Sequence, residues 1–171
     1  MRLLPLAALA TCAATMSTAQ EIDTSVDFTT LNRGAFVSEA RNLAEASWVG
    51  SMEIFSRIDP SVADKVPDFP WNPEFETAYG CIHDDMTAAG TIADYNSMRD
   101  ASVTFMAFLE NNPEVTLLNI DQYDEAIELM TPSETTISAM QRCGLMRLNQ
   151  QAMIDSGLMQ AVTQFYTTQP Q

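Results

Sequence analysis

Between Leu31 and Ile58 the chain has no proline, and its apolar side chains return at helical spacing: Val37, Ala40, Ala44, Trp48, Met52 and Phe55. Intervals of three and four residues line one face of an α-helix, whereas a half-buried strand needs strict alternation. The same test along the rest of the chain yields helical stripes and no alternating run of strand length. Phe75, Ala78, Tyr79, Ile82, Met86 and Ala89 form a second stripe. Ile92, Tyr95, Met98, Ser102, Phe105, Met106 and Leu109 form a third. Shorter helices are expected over Asp121–Met130 and from Thr131 onward, the latter with Ile137, Met140, Gly144 and Leu148 inward. A last helix, or a continuation past Asp155-Ser156-Gly157, carries Leu158, Ala161, Val162 and Phe165. The fold class predicted is all-α, a single-domain bundle of five to six helices.

Turn chemistry supplies the boundaries. Asp59 to Pro73 holds prolines at 60, 67, 70 and 73, a density that ends helices and forbids a regular ladder, so 59–73 is expected to be a loop. Asn72-Pro73-Glu74 places a cap, a first-turn proline and a dipole-complementing acid in order, and starts a helix ending near Gly90. Asn111-Asn112-Pro113 stops the third helix. Thr131-Pro132-Ser133-Glu134 reads as a capping box with Thr131 as the cap.

Arg2, the apolar run Leu3 to Ala10 and the small residues ending at Ser17-Thr18-Ala19 have the composition of a secretory signal. The run is well short of the ~20 apolar residues that span a bilayer. The organisation expected is a cleaved signal peptide over 1–19, a flexible entry segment over 20–30, a helical domain over 31–166 and a loose tail over 167–171. Leu9-Ala10-Thr11-Cys12 resembles the lipobox of bacterial lipoproteins, with Thr11 where a smaller residue is usual, and a lipid anchor at Cys12 is the minority alternative. Either route leads to a periplasmic or secreted protein.

Two cysteines then remain, Cys81 and Cys143. An even pair in an exported chain reads as one disulfide stapling two helices. The formal net charge is −15, and loss of Arg2 with the signal makes it more negative. Nucleic acid and anionic membrane surfaces need a basic footprint, so neither is an expected partner.

The chain has one histidine, His83, and no Gly-x-Ser-x-Gly elbow, His-Glu-x-x-His motif, phosphate-cradling glycine loop, dinucleotide fingerprint or Cys-x-x-Cys-His. Adjacent acids such as Asp84-Asp85 point to different sides of a helix and make no acid–base pair. The expectation is a protein that is not an enzyme and has no cofactor: an exported helical accessory or binding protein, whether adaptor, inhibitor, chaperone-like factor or carrier of a small hydrophobic ligand. Trp48, Phe55, Phe69, Trp71 and Tyr79 are the candidate surface for an unidentified protein partner or such a ligand. The alternative is a periplasmic metal-handling protein of the copper type. Thioether and imidazole suit Cu(I), His83 and Met86 are helical neighbours, and Met140, Met146, Met153 and Met159 recur every six or seven residues. Methionine is otherwise a filler of irregular helical cores.

Overall fold

In a computed structural model that describes residues 22–58 and 69–168, the first helix starts where Asn32 accepts the Ala35 amide at 3.0 Å. Helix α1 runs Arg33–Ser56 and α2 runs Pro73–Ala89. The predicted cap of α2 is present, Asn72 accepting the Glu74 and Phe75 amides at 2.8 and 3.3 Å. Gly90 closes it in the left-handed region at φ 71°. Helix α3, Ala93–Asn111, stops before Pro113 as expected. After a short 3-10 turn at Ile120–Gln122 come α4 (Asp124–Leu129), α5 (Glu134–Arg142), α6 (Leu145–Asp155) and α7 (Leu158–Thr168). Every regular element among the described residues is helical. The expected signal segment, Cys12 and positions 59–68 of the proline-rich loop lie outside the described residues, as do the side chains of Ala161, Val162 and Phe165.

The described residues form seven α-helices, roughly the five to six expected. The extra break is at Gly144, which the sequence stripe places inside a helix. It sits at φ 75° directly after Cys143, and α6 starts anew beyond it. A second break falls at Ser156–Gly157. The cap of α5 is Ser133, accepting the Thr136 amide at 3.2 Å, and not Thr131. The Thr131 hydroxyl instead donates back to the Ile127 carbonyl at 2.7 Å, which leaves Pro132 outside the helix.

Of the entry segment expected to be flexible over 20–30, the described residues from Ile22 onward dock on the helices. Asp27 caps a 3-10 turn at Phe28–Thr30. The Phe28 ring is buried 4.8 Å from Tyr95 and 5.5 Å from Phe36. Arg99, nearly buried, donates to the Val26 carbonyl and lies over the Phe28 ring.

Helices α1, α2 and α3 run up, down and up. Phe36 meets His83 near the end of α2, and Trp48 reaches Phe75 at its start through Phe69, so α1 and α2 are antiparallel. Phe36 also meets Tyr95 at 4.7 Å, while Ile54 and Leu109 share a cluster at the far end, so α1 and α3 are parallel. Cys81 of α2 and Cys143 at the end of α5 are bonded, with Cα atoms 5.6 Å apart and a sequence separation of 62. Closing such a loop in the unfolded chain stabilises the fold by about 4 kcal/mol on the entropic account. Arg142 pairs with Asp85 at 2.5 Å beside the bond. Arg57 ties the upper ends of α1 and α3, donating to the carbonyls of Leu109, Asn112 and Val115 at 2.7, 2.9 and 3.0 Å. The Leu109 and Asn112 carbonyls also accept the amides of Asn112 and Val115 at 3.3 and 3.0 Å, so Arg57 adds a second donor at the end of α3, where a cation complements the dipole.

The core is divided. A larger cluster gathers Phe28, Phe36, Phe75, Ile82, Tyr95 and Leu145 with their neighbours. A smaller one gathers Ile54, Leu109, Val115, Ile120 and Ala126. Both clusters include residues of α1 and α3, and the stretch of those helices between them is incompletely filled.

Candidate functional site

On α1 the deeply buried face is Phe36, Ala40, Leu43, Ala46, Gly50 and Ile54. It is rotated by about one residue, roughly 100°, from the stripe read in the sequence. The apolar surface of α1 is wider than its helical neighbours cover. The surplus, Trp48, Met52 and Phe55, is left half-buried. Helix α3 repeats the pattern: Tyr95 and Leu109 are buried, while Met98, Ser102, Phe105 and Met106 between them are half-buried. Gly50 lets α3 approach, with Met106 3.3 Å from where a β-carbon would stand.

Two adjoining cavities occupy the gap, with Ser47, Ser51, Phe55, Met98 and Ser102 lining both. The smaller, about 290 Å³, is walled by apolar and aromatic side chains with a few hydroxyls and Asn149, and no charged side chain lines it among the described residues. The larger, about 990 Å³, has a floor from α1 and α3 and a rim from α4 and the turn to Ser133. Glu125 and Glu128 stand on that rim, and Asp94 at the start of α3 meets it at Ser133, with no lysine, arginine or histidine lining the cavity among the described residues. Volumes of this order and an apolar lining with a few polar groups are those of small-molecule sites. Six of the chain's eleven methionines, Met52, Met98, Met106, Met130, Met140 and Met153, line one cavity or the other. Flexible, polarisable thioethers form walls that adapt to more than one occupant.

Four of the five candidate aromatics, Trp48, Phe55, Phe69 and Tyr79, line the smaller cavity. Tyr79 is buried rather than a surface group, and burial holds its phenol well above the ordinary value, so it stays protonated. Trp71 is not a lining residue. It stacks on Tyr79 at 5.3 Å, with the Arg41 guanidinium 5.6 Å from its ring, and so serves the outer wall. Sequence reasoning missed Ser47, Ser51, Ser102 and Asn149. Their only signal is hydroxyl and amide groups interrupting otherwise apolar helical faces.

His83 and Met86 occupy a different region. The imidazole Nδ1 lies 2.9 Å from Asp84 and Nε2 lies 3.3 Å from the Leu31 carbonyl, so both ring nitrogens have partners. Hydrogen bonding from His83, aided by Arg33, holds the Asp84 carboxyl below the usual carboxylate range. Met86 is 1% exposed within the larger core cluster. No group of three or more His, Cys, Asp or Glu side chains is placed to hold a metal ion among the described residues. Nor is any described helix long and apolar enough to cross a membrane. No family model, curated protein or solved structure matches the chain.

Proposed function

We propose that this is an exported, non-catalytic helical binding protein that carries a small apolar or amphiphilic ligand in the trough between α1 and α3. One observation carries the reading: the half-buried remainder of two apolar helix faces surrounds adjoining cavities of about 290 and 990 Å³. Leaving apolar surface uncovered forgoes about 25 cal/mol for each Å². An occupant recovers that free energy on binding. A carrier outside the cytoplasm also accounts for the Cys81–Cys143 bond, since disulfides persist in oxidising compartments.

Nile red, an uncharged dye that brightens in apolar surroundings, tests the reading. Saturable binding to the folded, oxidised protein is expected at one dye per chain. Ser102 lines both cavities, and among the described residues its hydroxyl donates to the Met98 carbonyl of its own helix. Ser102→Phe should therefore fill the trough and weaken dye binding at least ten-fold with the near-ultraviolet dichroism retained. Non-saturable binding, or binding indifferent to Ser102→Phe, overturns the reading and returns attention to an adaptor or inhibitor. Native mass spectrometry of the protein purified from its own host separates the metal-handling alternative, for which the bound mass would be copper and not an organic molecule.

A further inference from the structure

The two ends of the trough differ in charge, and that difference selects among apolar ligands. In the smaller cavity a polar head would find only hydroxyls, Asn149 and apolar walls. At the rim of the larger one stand three carboxylates. Glu125 and Glu128 are exposed and have no hydrogen-bond or ion-pair partner among the described side chains, while Asp94 accepts only the hydroxyls of Ser133 and Thr135. An anionic head, such as a fatty carboxylate, would meet like charge with no lysine, arginine or histidine lining the cavity among the described residues to neutralise it. The net charge of −15 adds to that bias from a distance.

We infer that the occupant is an amphiphilic cation, an amine or quaternary ammonium head on an alkyl or aromatic tail. The head sits among Asp94, Glu125 and Glu128. The tail lies along Phe55 and Met98 toward the uncharged smaller cavity. The inference rests on the ligand-carrier reading and names the chemical class that reading leaves open.

Isothermal titration of the folded, disulfide-bonded protein with three twelve-carbon amphiphiles, each below its micelle concentration, tests it. The three are dodecyltrimethylammonium, dodecanoate and dodecyl maltoside. The cation is expected to bind at least ten-fold more tightly than either of the others, with the advantage shrinking as salt rises. Glu125→Gln with Glu128→Gln should reduce that advantage to three-fold or less. Glu74→Gln with Glu110→Gln, equal in charge but away from the cavities, should preserve it. Equal binding of cation and maltoside, or a preference lost equally in both double variants, overturns the inference while the carrier reading stands. No saturable binding by any of the three overturns both.

Discussion

Asp27 fastens the N-terminal segment with a single carboxylate. Its Oδ1 accepts the Thr29 amide at 3.0 Å, the Thr29 hydroxyl at 2.8 Å and the Asn96 side-chain amide at 2.8 Å. Asn96 in turn accepts the Phe28 amide at 2.9 Å, so the chain reaches α3 in the register that buries the Phe28 ring. Hydrogen bonding, from Asn96 foremost and then Thr29, holds the Asp27 carboxyl below its ordinary value. A carboxyl depressed in the folded state releases its proton more readily there than in the unfolded chain. Its contribution to stability is therefore complete above the unfolded value of about 4 and is lost as the pH falls through the lower folded value. Asp27→Asn removes the titration while keeping an oxygen that accepts hydrogen bonds. Chemical unfolding at a series of pH values should then show a shallower loss of stability below about pH 4 in the variant, with the two proteins converging in acid. An unchanged slope would mean that Asp27 contributes through its shape alone.

At the scale of elements, what the sequence disclosed depended on how much of a helix face its neighbours cover. Helix α2 is covered along most of its length, and its stripe was legible: Phe75, Ala78, Tyr79, Ile82 and Met86 are all buried. Only Ala89, beside the exposed terminus, is not. For α1 the same reasoning found the helix and rotated its buried face, because periodicity reports where apolar residues lie and not which of them a neighbour reaches. The displaced side chains form the cavity wall, and the hydroxyls between them carried no pattern. Gly144 was illegible for another reason, since a glycine on an apolar stripe fits a helix interior as well as a stop. Its φ of 75° decides the matter. With nothing within 4 Å of where a β-carbon would stand, Gly144→Ala meets no clash, and its cost is backbone strain alone. A left-handed conformation in a residue with a β-carbon costs roughly 1–2 kcal/mol, and the smaller backbone entropy of the unfolded alanine chain offsets part of that cost. Urea unfolding should show Gly144→Ala less stable by about 1 kcal/mol with the disulfide intact. A neutral or stabilising result would mean that α5 and α6 join into one helix in solution.

The whole molecule is two packed clusters bridged by helices that pass a cavity, and its stability should be distributed accordingly. Around the larger cluster, α2 is covered by α1, α5 and α6 and bound to α5 through Cys81–Cys143. Between the clusters, the Ser47–Ser51 part of α1 and the Met98–Met106 part of α3 face the cavities. Opening there exposes less surface buried against other protein groups, so those amides should exchange with solvent at lower free energy than the amides of α2. A ligand that binds only the folded state at one hundred times its dissociation constant adds about 2.7 kcal/mol. For a domain of this size that corresponds to a rise in Tm of about 5–10 °C. Protection should not rise evenly. It should rise most in the cavity-facing parts of α1 and α3 and least in α2, whose slowest amides already require global unfolding. Hydrogen exchange with and without saturating dodecyltrimethylammonium makes the comparison directly. Uniform protection would indicate binding that merely opposes global unfolding, whereas protection confined to the outer face of α2 would place the ligand elsewhere. Protection centred on α1 and α3 would show that the gap between the two clusters is the part of the fold the ligand completes.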